Sequence, residues 1–228
     1  MRQIKNLLQN FLNFFKTKSS YSQWGEDMLL YSFYENKKRY KGFYIDIGAH
    51  HPVRFSNTYF FYKKGWKGIN IDATPGSMFS FKLLRSRDIN LEYAVAEEKS
   101  TKVFYVFNEP ALNTFSKTLA QERVSDRYYV EKEVLIITKP LSLILSDHLP
   151  INQQIDFMSI DVEGLDLEVL QSNNWTKYRP NYIAVEDINF VISEPFKSEI
   201  YQYLASINYQ LISFSKYTTI YKDLSIKS

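Results

Sequence analysis

The sequence predicts an α/β fold, a mostly parallel sheet with helices on both faces. Three observations predict it. From residue 42 onward, apolar runs of strand length alternate with helix-period segments. Acidic residues stand at the carboxyl ends of four of those runs. The final stretch, Tyr209 to Lys222, alternates like an antiparallel hairpin.

The elements follow in order. Ile4, Leu7, Leu8, Phe11, Leu12 and Phe15 recur at helical spacing opposite Lys5, Gln9, Asn10, Asn13 and Lys16, which predicts an amphipathic helix over 4–15 and a linker to Ser20. Docking of that helix on its own domain, or on a second copy in a homodimer, is favoured over contact with a membrane surface. Residues 1–20 are thus an appendage, and 21–228 form one domain. Gly42 to Gly48 reads as a buried strand. Ser56 to Lys64 is a helix with Ser56 and Asn57 as cap candidates. Lys67 to Asp72 is the second strand, a helix spans about Pro75 to Arg87, and Ile89 to Ala96 is the third strand. Residues 101–150 look inserted, with strands at Lys102–Phe107 and Val134–Thr138 and a short helix bracketed by Pro140 and Pro150. The fourth strand, Ile155–Asp161, leads to the helix Leu165–Ser172, and the fifth, Asn181–Glu186, to a helix near Glu194–Ser206.

Composition excludes several functions. The chain of 228 residues has no cysteine, so thiolate zinc, iron–sulfur and thiol-nucleophile chemistry are absent. Three histidines, His50, His51 and His148, make a His-rich metal site a poor expectation. A formal charge of +3 and the lack of a basic stripe argue against nucleic acid as partner. No apolar run is long enough to span a bilayer and the N-terminus does not read as a signal peptide, so the expected location is cytoplasmic.

In doubly wound sheets ligands bind beyond the carboxyl ends of the strands. Asp46, Asp72, Asp161 with Glu163, and Glu186 with Asp187 all fall there. Acids that end apolar strands are costly without ligands or hydrogen bonds, so they point to one cleft. Asp46-Ile-Gly48 carries one glycine where a dinucleotide fingerprint has three, which opposes NAD and a hydride-transfer reading. Asp72 lies 26 residues after Asp46, at the next strand end, where an acid grips ribose hydroxyls. Together they suggest an adenosine ligand such as S-adenosylmethionine.

The chain resembles the FkbM-type S-adenosylmethionine-dependent methyltransferases. The likeness rests on Tyr21 to Asp27, Phe43 to Pro52, Ser56-Asn57-Thr58, Gly68 to Asp72, Ala111 to Phe115 and Ile160 to Leu170, extended by Trp175 to Pro180 and Val185 to Asp187. It implies a class I methyltransferase (Rossmann-like) fold, a seven-stranded sheet closed by an antiparallel hairpin strand. It also implies methyl transfer, usually to a hydroxyl oxygen, often on a sugar or another small molecule. By resemblance, Asp46 and Gly48 underlie the methionine half of the cofactor and Asp72 holds the ribose. Tyr21, Gln23 and Glu26 close over it, and Ala94 and Val95 flank the adenine. Ser22 to Asp27 reads equally well as a helix cap with acids in its first turn.

A hydroxyl acceptor needs its proton removed, and a bound divalent ion can assist. Carboxylates without cysteine form a hard oxygen site suited to Mg²⁺. The pattern is similar to metal-dependent sugar O-methyltransferases, by which likeness Asp161, Glu186 and Asp187 would hold the ion and Glu163 would be the base. Glutamate replaces aspartate at two of those places, which leaves the ligand set open. His50 and His51 are alternative bases, or a turn with one ring stacked on an aromatic. Residues 108–133, with Arg123, Arg127, Tyr128 and Tyr129, offer a lid for a glycan-type substrate. The expected activity is O-methylation of a sugar or glycan-type molecule. The alternatives are metal-free methylation of an amine or carboxylate, and a non-catalytic nucleoside-binding module.

Overall fold

The structure is a computed structural model and describes Lys5 and residues 18–225. The helix expected over 4–15 lies outside the described residues apart from Lys5. The main sheet has seven strands in the order β3-β2-β1-β7-β8-β10-β9. These are β1 Phe43–Ile47, β2 Lys67–Asp72, β3 Ile89–Glu92, β7 Phe157–Ile160, β8 Tyr182–Glu186, β9 Tyr209–Ser215 and β10 Thr218–Asp223. The first five of that order run parallel, and β10 pairs antiparallel with both β8 and β9. This is the seven-stranded arrangement with a terminal hairpin that the sequence predicts.

Alternation along β1 divides the core. Phe43, Ile45 and Ile47 join the cluster of Met158, Ile160, Ile183 and Val185 that also takes in Leu141, Ile144 and Leu145 of α5 (Leu141–His148), Val169 and Leu170 of α6 (Asp166–Gln171) and Leu204 of α7 (Glu199–Ser206). Tyr44 points the other way, with Phe157, Ala184 and Ile220, against Leu30 of α1 (Glu26–Ser32), Phe60 and Phe61 of α2 (Tyr59–Lys63) and Trp66. Strands apolar on both faces are what a helix-covered parallel sheet requires.

A buried polar network fixes the second layer. Arg85, fully enclosed after α3 (Met78–Leu84), donates from Nε to Asp88 at 2.9 Å and from Nη2 to the Tyr44 hydroxyl at 2.7 Å and Thr58 Oγ1 at 3.0 Å. Asp88 also accepts from the Gly68 amide and Asn70 Nδ2. A buried cation is tolerable only with partners of this kind.

The third predicted strand is corrected. It stops at Glu92; Tyr93 donates its amide back to Asp72 O, and β4 (Ala94–Val95) departs to pair with Thr138 and Lys139. There it joins a separate three-stranded sheet, β4-β6-β5, of β5 Thr101–Phe107 and β6 Val130–Lys139. That small sheet, a 3₁₀ turn at Pro110–Leu112 and α4 (Lys117–Arg123) make up most of the predicted insertion. Among the described residues no helix is long and apolar enough to cross a membrane.

Candidate functional site

One cavity opens at the carboxyl ends of β1, β2, β7 and β8, roofed by the 110–115 segment. Its first half is built by the β1 and β2 ends. Gly48 takes φ +78, and a Cβ there would fall 1.7 Å from the Asp161 carbonyl oxygen. Only glycine lets the β1 turn press against the β7 end this closely. Asp72 accepts from the His50 amide through Oδ2 and from the Thr74 amide through Oδ1, both at 2.8 Å. That aims its carboxylate edge along the cavity wall.

Asp46 is placed differently from the expectation. It is buried beneath the Gly48 turn and does not line the cavity. Its Oδ2 accepts from Thr58 Oγ1 at 2.6 Å, the same hydroxyl that Arg85 reaches. Burial raises its pKa to about 6, against the lowering effect of Thr58 and Arg85. Asp46 therefore supports the turn from below.

The second half is carboxylate-rich. Asp161, just past β7, Glu163 two residues on, and Glu186 at the end of β8 bring carboxylate oxygens within 4.8 Å of one another. Asp161 Oδ1 and Glu186 Oε2 are buried and receive no donor from any other residue; the two carboxyls hydrogen-bond each other when one is protonated. Desolvation pushes the Asp161 pKa well up, and the charges of Glu186 and Glu163 push it further. Glu186 is raised by desolvation and then by the charges of Glu163 and Asp166. Glu163, in a left-handed conformation at φ +57, is raised by burial and drawn back by Arg123, with which it forms an ion pair. Asp166 sets this loop by accepting from the Val162 and Gly164 amides.

Arg123 thus serves the protein itself: besides Glu163 it donates to Leu112 O at 3.1 Å. Thr114 Oγ1 donates to Glu163 O at 2.6 Å, and Asn113 Nδ2 to Thr74 Oγ1 at 3.1 Å. These bonds fasten the roof to both halves of the cavity.

Of the remaining expected residues, Gln23 and Glu26 line the cavity. Four others lie outside the cavity wall. Tyr21 lies outside, its hydroxyl accepting from Lys63 Nζ and its ring edge-on to Tyr59. Ala94 is buried while its neighbours Tyr93 and Val95 face the cavity. Asp187 turns away to accept from Ser198 Oγ at 2.5 Å. His51 spends Nδ1 on the amides of Val53 and Arg54, closing a turn. His50 faces the cavity instead; its ring stacks on Phe55, its Nε2 is buried and unpartnered, and burial lowers its pKa.

Sequence reasoning assigned no role in this site to Trp24, Asn57, Thr74, Asn113 or Tyr217, all of which line it. Asn57 and Asn113 sit inside the motif blocks Ser56–Thr58 and Ala111–Phe115, which was the available signal. Asn57 Nδ2 donates to Ser159 Oγ at 3.0 Å, tying the α2 start to β7.

The strand order, the antiparallel last pair and the acid-lined cleft at the strand ends define a doubly wound α/β protein with its ligand site at the carboxyl edge of the sheet. More narrowly, the chain belongs to the FkbM methyltransferase family, whose methyltransferase FkbM domain matches residues 46–211. Among solved structures it is similar to the methyltransferase FkbM of Methylobacillus flagellatus KT, at 16% identity and TM-score 0.49. That alignment covers 80% of this chain and 43% of that one, so this chain spans less than half of it. It is also similar to the Haemophilus influenzae protein HI0767, a methylase by assignment, at 13% identity and TM-score 0.39, covering 87% of this chain and 88% of that one. No curated protein matches the chain.

Proposed function

We propose that the chain is an S-adenosylmethionine-dependent O-methyltransferase acting on a hydroxyl of a sugar or glycan-type small molecule. The observation that carries this reading is the pair of buried carboxyls in the cavity wall, Asp161 and Glu186. Their Oδ1 and Oε2 receive no donor from elsewhere in the protein, and the two share a hydrogen bond only when one of them holds a proton. Buried polar atoms ordinarily have partners, so such a pair suits a ligand group. A hydroxyl is weakly acidic and needs a base of raised pKa positioned on its proton. Asp161 and Glu186 crowd each other, so one stays ionised and accepts the acceptor's proton, while the other donates a hydrogen bond.

S-adenosylmethionine, when bound, supplies the methyl group. Asp72 and the Gly48 turn would hold its ribose and methionine parts, with Tyr93 and Val95 beside the base. Asn113 and Phe115 in the roof exclude water from the same space.

A second reading is favoured by the spacing of the three carboxylates, which fits a hard divalent cation. Mg²⁺, when bound, supplies Lewis-acid polarisation of the hydroxyl. Its ligands would be Asp161, Glu163 and Glu186, with Asp187 replaced by Glu163 in the expected set.

Calorimetric titration of S-adenosylmethionine, with Mg²⁺ and with EDTA, tests both. Saturable binding in each, followed by S-adenosylhomocysteine release with hydroxyl acceptors, is expected. Absence of binding in both would overturn the reading, and turnover abolished by EDTA alone would select the metal-assisted form.

A further inference from the structure

The edge of the sheet opposite the cleft carries a different chemistry. Six exposed cations gather near the amino ends of β1 and β2: Lys37, Lys38, Arg39 and Lys41 before β1, and Lys63 and Lys64 at the end of α2. Residues 37–67 hold a local formal charge of +7, whereas the whole chain has +3. None of the six has an ion-pair partner among the described residues. Like charges held this close repel, which a negatively charged partner relieves.

Aromatic walls accompany the charge. A cavity of about 310 Å³ is walled by Tyr34, Tyr40 and Trp66 and rimmed by Lys37, Lys38, Arg39 and Lys64. Lys37 Nζ lies 5.3 Å and 5.1 Å from the ring centroids of Tyr34 and Tyr40. Tyr40 remains 40% exposed, an amphipathic ring on a basic surface. Rings of this type and long cationic stems are suited to a water–lipid boundary.

A second observation comes from where the N-terminal segment joins. Lys18 pairs with Glu35 and lies 4.7 Å from the Tyr31 ring centroid, at the same distance as Lys64 from that ring. The described chain therefore begins, at Lys18, on the rim of the basic face. The sequence of residues 1–17 puts Ile4, Leu7, Leu8, Phe11, Leu12 and Phe15 at helical spacing, with Arg2, Lys5 and Lys16 among the polar residues. A soluble polyanion would use the cations alone, whereas an anionic bilayer uses both the cations and the apolar residues.

We propose that this basic, aromatic face docks on a bilayer surface rich in anionic lipid, with segment 4–15 as its apolar anchor. A polybasic patch and one apolar anchor together give the two signals that stable peripheral attachment needs. The cleft, at the opposite ends of the strands, then faces water.

The test is co-sedimentation of the full chain with phosphatidylcholine vesicles, with and without phosphatidylglycerol, at low and high salt. Binding that requires phosphatidylglycerol and falls with salt is expected. The triple variant Lys37→Glu, Lys38→Glu, Arg39→Glu should weaken partitioning about a hundredfold. Lys117→Glu, Lys132→Glu, Lys177→Glu, with the same change in net charge on other exposed positions, should leave it within about threefold. Leu8→Asp with Phe11→Asp should also release the protein. Circular dichroism melts and S-adenosylmethionine titration of each variant separate misfolding from lost docking. Equal loss in both triple variants, or binding to neutral vesicles alone, would overturn the proposal. Unchanged partitioning in the Leu8/Phe11 variant would overturn it too and reassign the face to a soluble polyanion.

Discussion

The two halves of the cleft treat their acids in opposite ways. At the β1 and β2 ends, Asp46 and Asp72 are satisfied by the protein, the first by Thr58 and the second by the amides of His50 and Thr74. At the β7 and β8 ends, Asp161 and Glu186 receive no donor from the rest of the protein and have only each other, and only Glu163 has a counter-ion. Asp46 holds a shape, Asp72 is fixed by two amides while still lining the cavity, and Asp161 and Glu186 are left to meet a ligand. A strand-ending acid therefore announces a cleft, and its hydrogen bonds decide its role there.

The sharpest break of that comparison is Asp161→Asn. It keeps the shape of the side chain and breaks the carboxyl pair that holds and accepts the proton. Turnover should fall about 10²- to 10⁴-fold, with S-adenosylmethionine affinity close to wild type. S-adenosylhomocysteine release and calorimetry would measure the two. If turnover survives while cofactor affinity collapses, Asp161 belongs with the first half of the cleft.

Much of this division was legible in the sequence, and the failures have physical causes. Phe43–Ile47 and Lys67–Asp72 were visible because a helix-covered strand is apolar on both faces. The pair Asp161 and Glu163, two residues apart, was expected to converge with Glu186 and does. Asp187 entered the expected ligand set by likeness to metal-dependent sugar O-methyltransferases, yet neighbours at a strand end face opposite ways, and Asp187 meets Ser198. His50 and His51 divide in the same way, His50 facing the cavity and His51 closing a turn. The break at Tyr93 was hidden, because β4 leaves for the small sheet without any change in local composition. Arg123 was one of four residues that a lid over 108–133 offered; its pairing with Glu163 depends on how the roof folds back, which residue spacing does not reveal.

Gly48 joins the halves, so it gives the next largest effect. Gly48→Ala places a methyl into the Asp161 carbonyl and strains a left-handed φ. Unfolding stability should drop by about 3 to 4 kcal/mol, read by urea or thermal denaturation. A change below about 1 kcal/mol would mean that the two strand ends are free to separate, and that the turn does not clamp the halves together.

The smallest expected effect tests whether Asp46 is purely supportive. Its pKa is about 6 in the folded protein, raised from an ordinary 3.8. The folded state therefore holds a proton that the unfolded chain has released. Asp46's contribution is most favourable below the unfolded value and is lost as pH rises through about 6. The shift corresponds to about 2 to 3 kcal/mol. Asp46→Asn keeps an acceptor for Thr58 and removes the titration. Relative to wild type, the variant should gain stability between pH 4 and 7, by up to that amount. Denaturant midpoints at several pH values would show it. A stability difference independent of pH would mean that Asp46 stays ionised under the turn, with Arg85 stabilising it as a counter-ion despite the burial. In that case the two halves of the cleft would differ in which charges are compensated, and not in whether their acids carry charge.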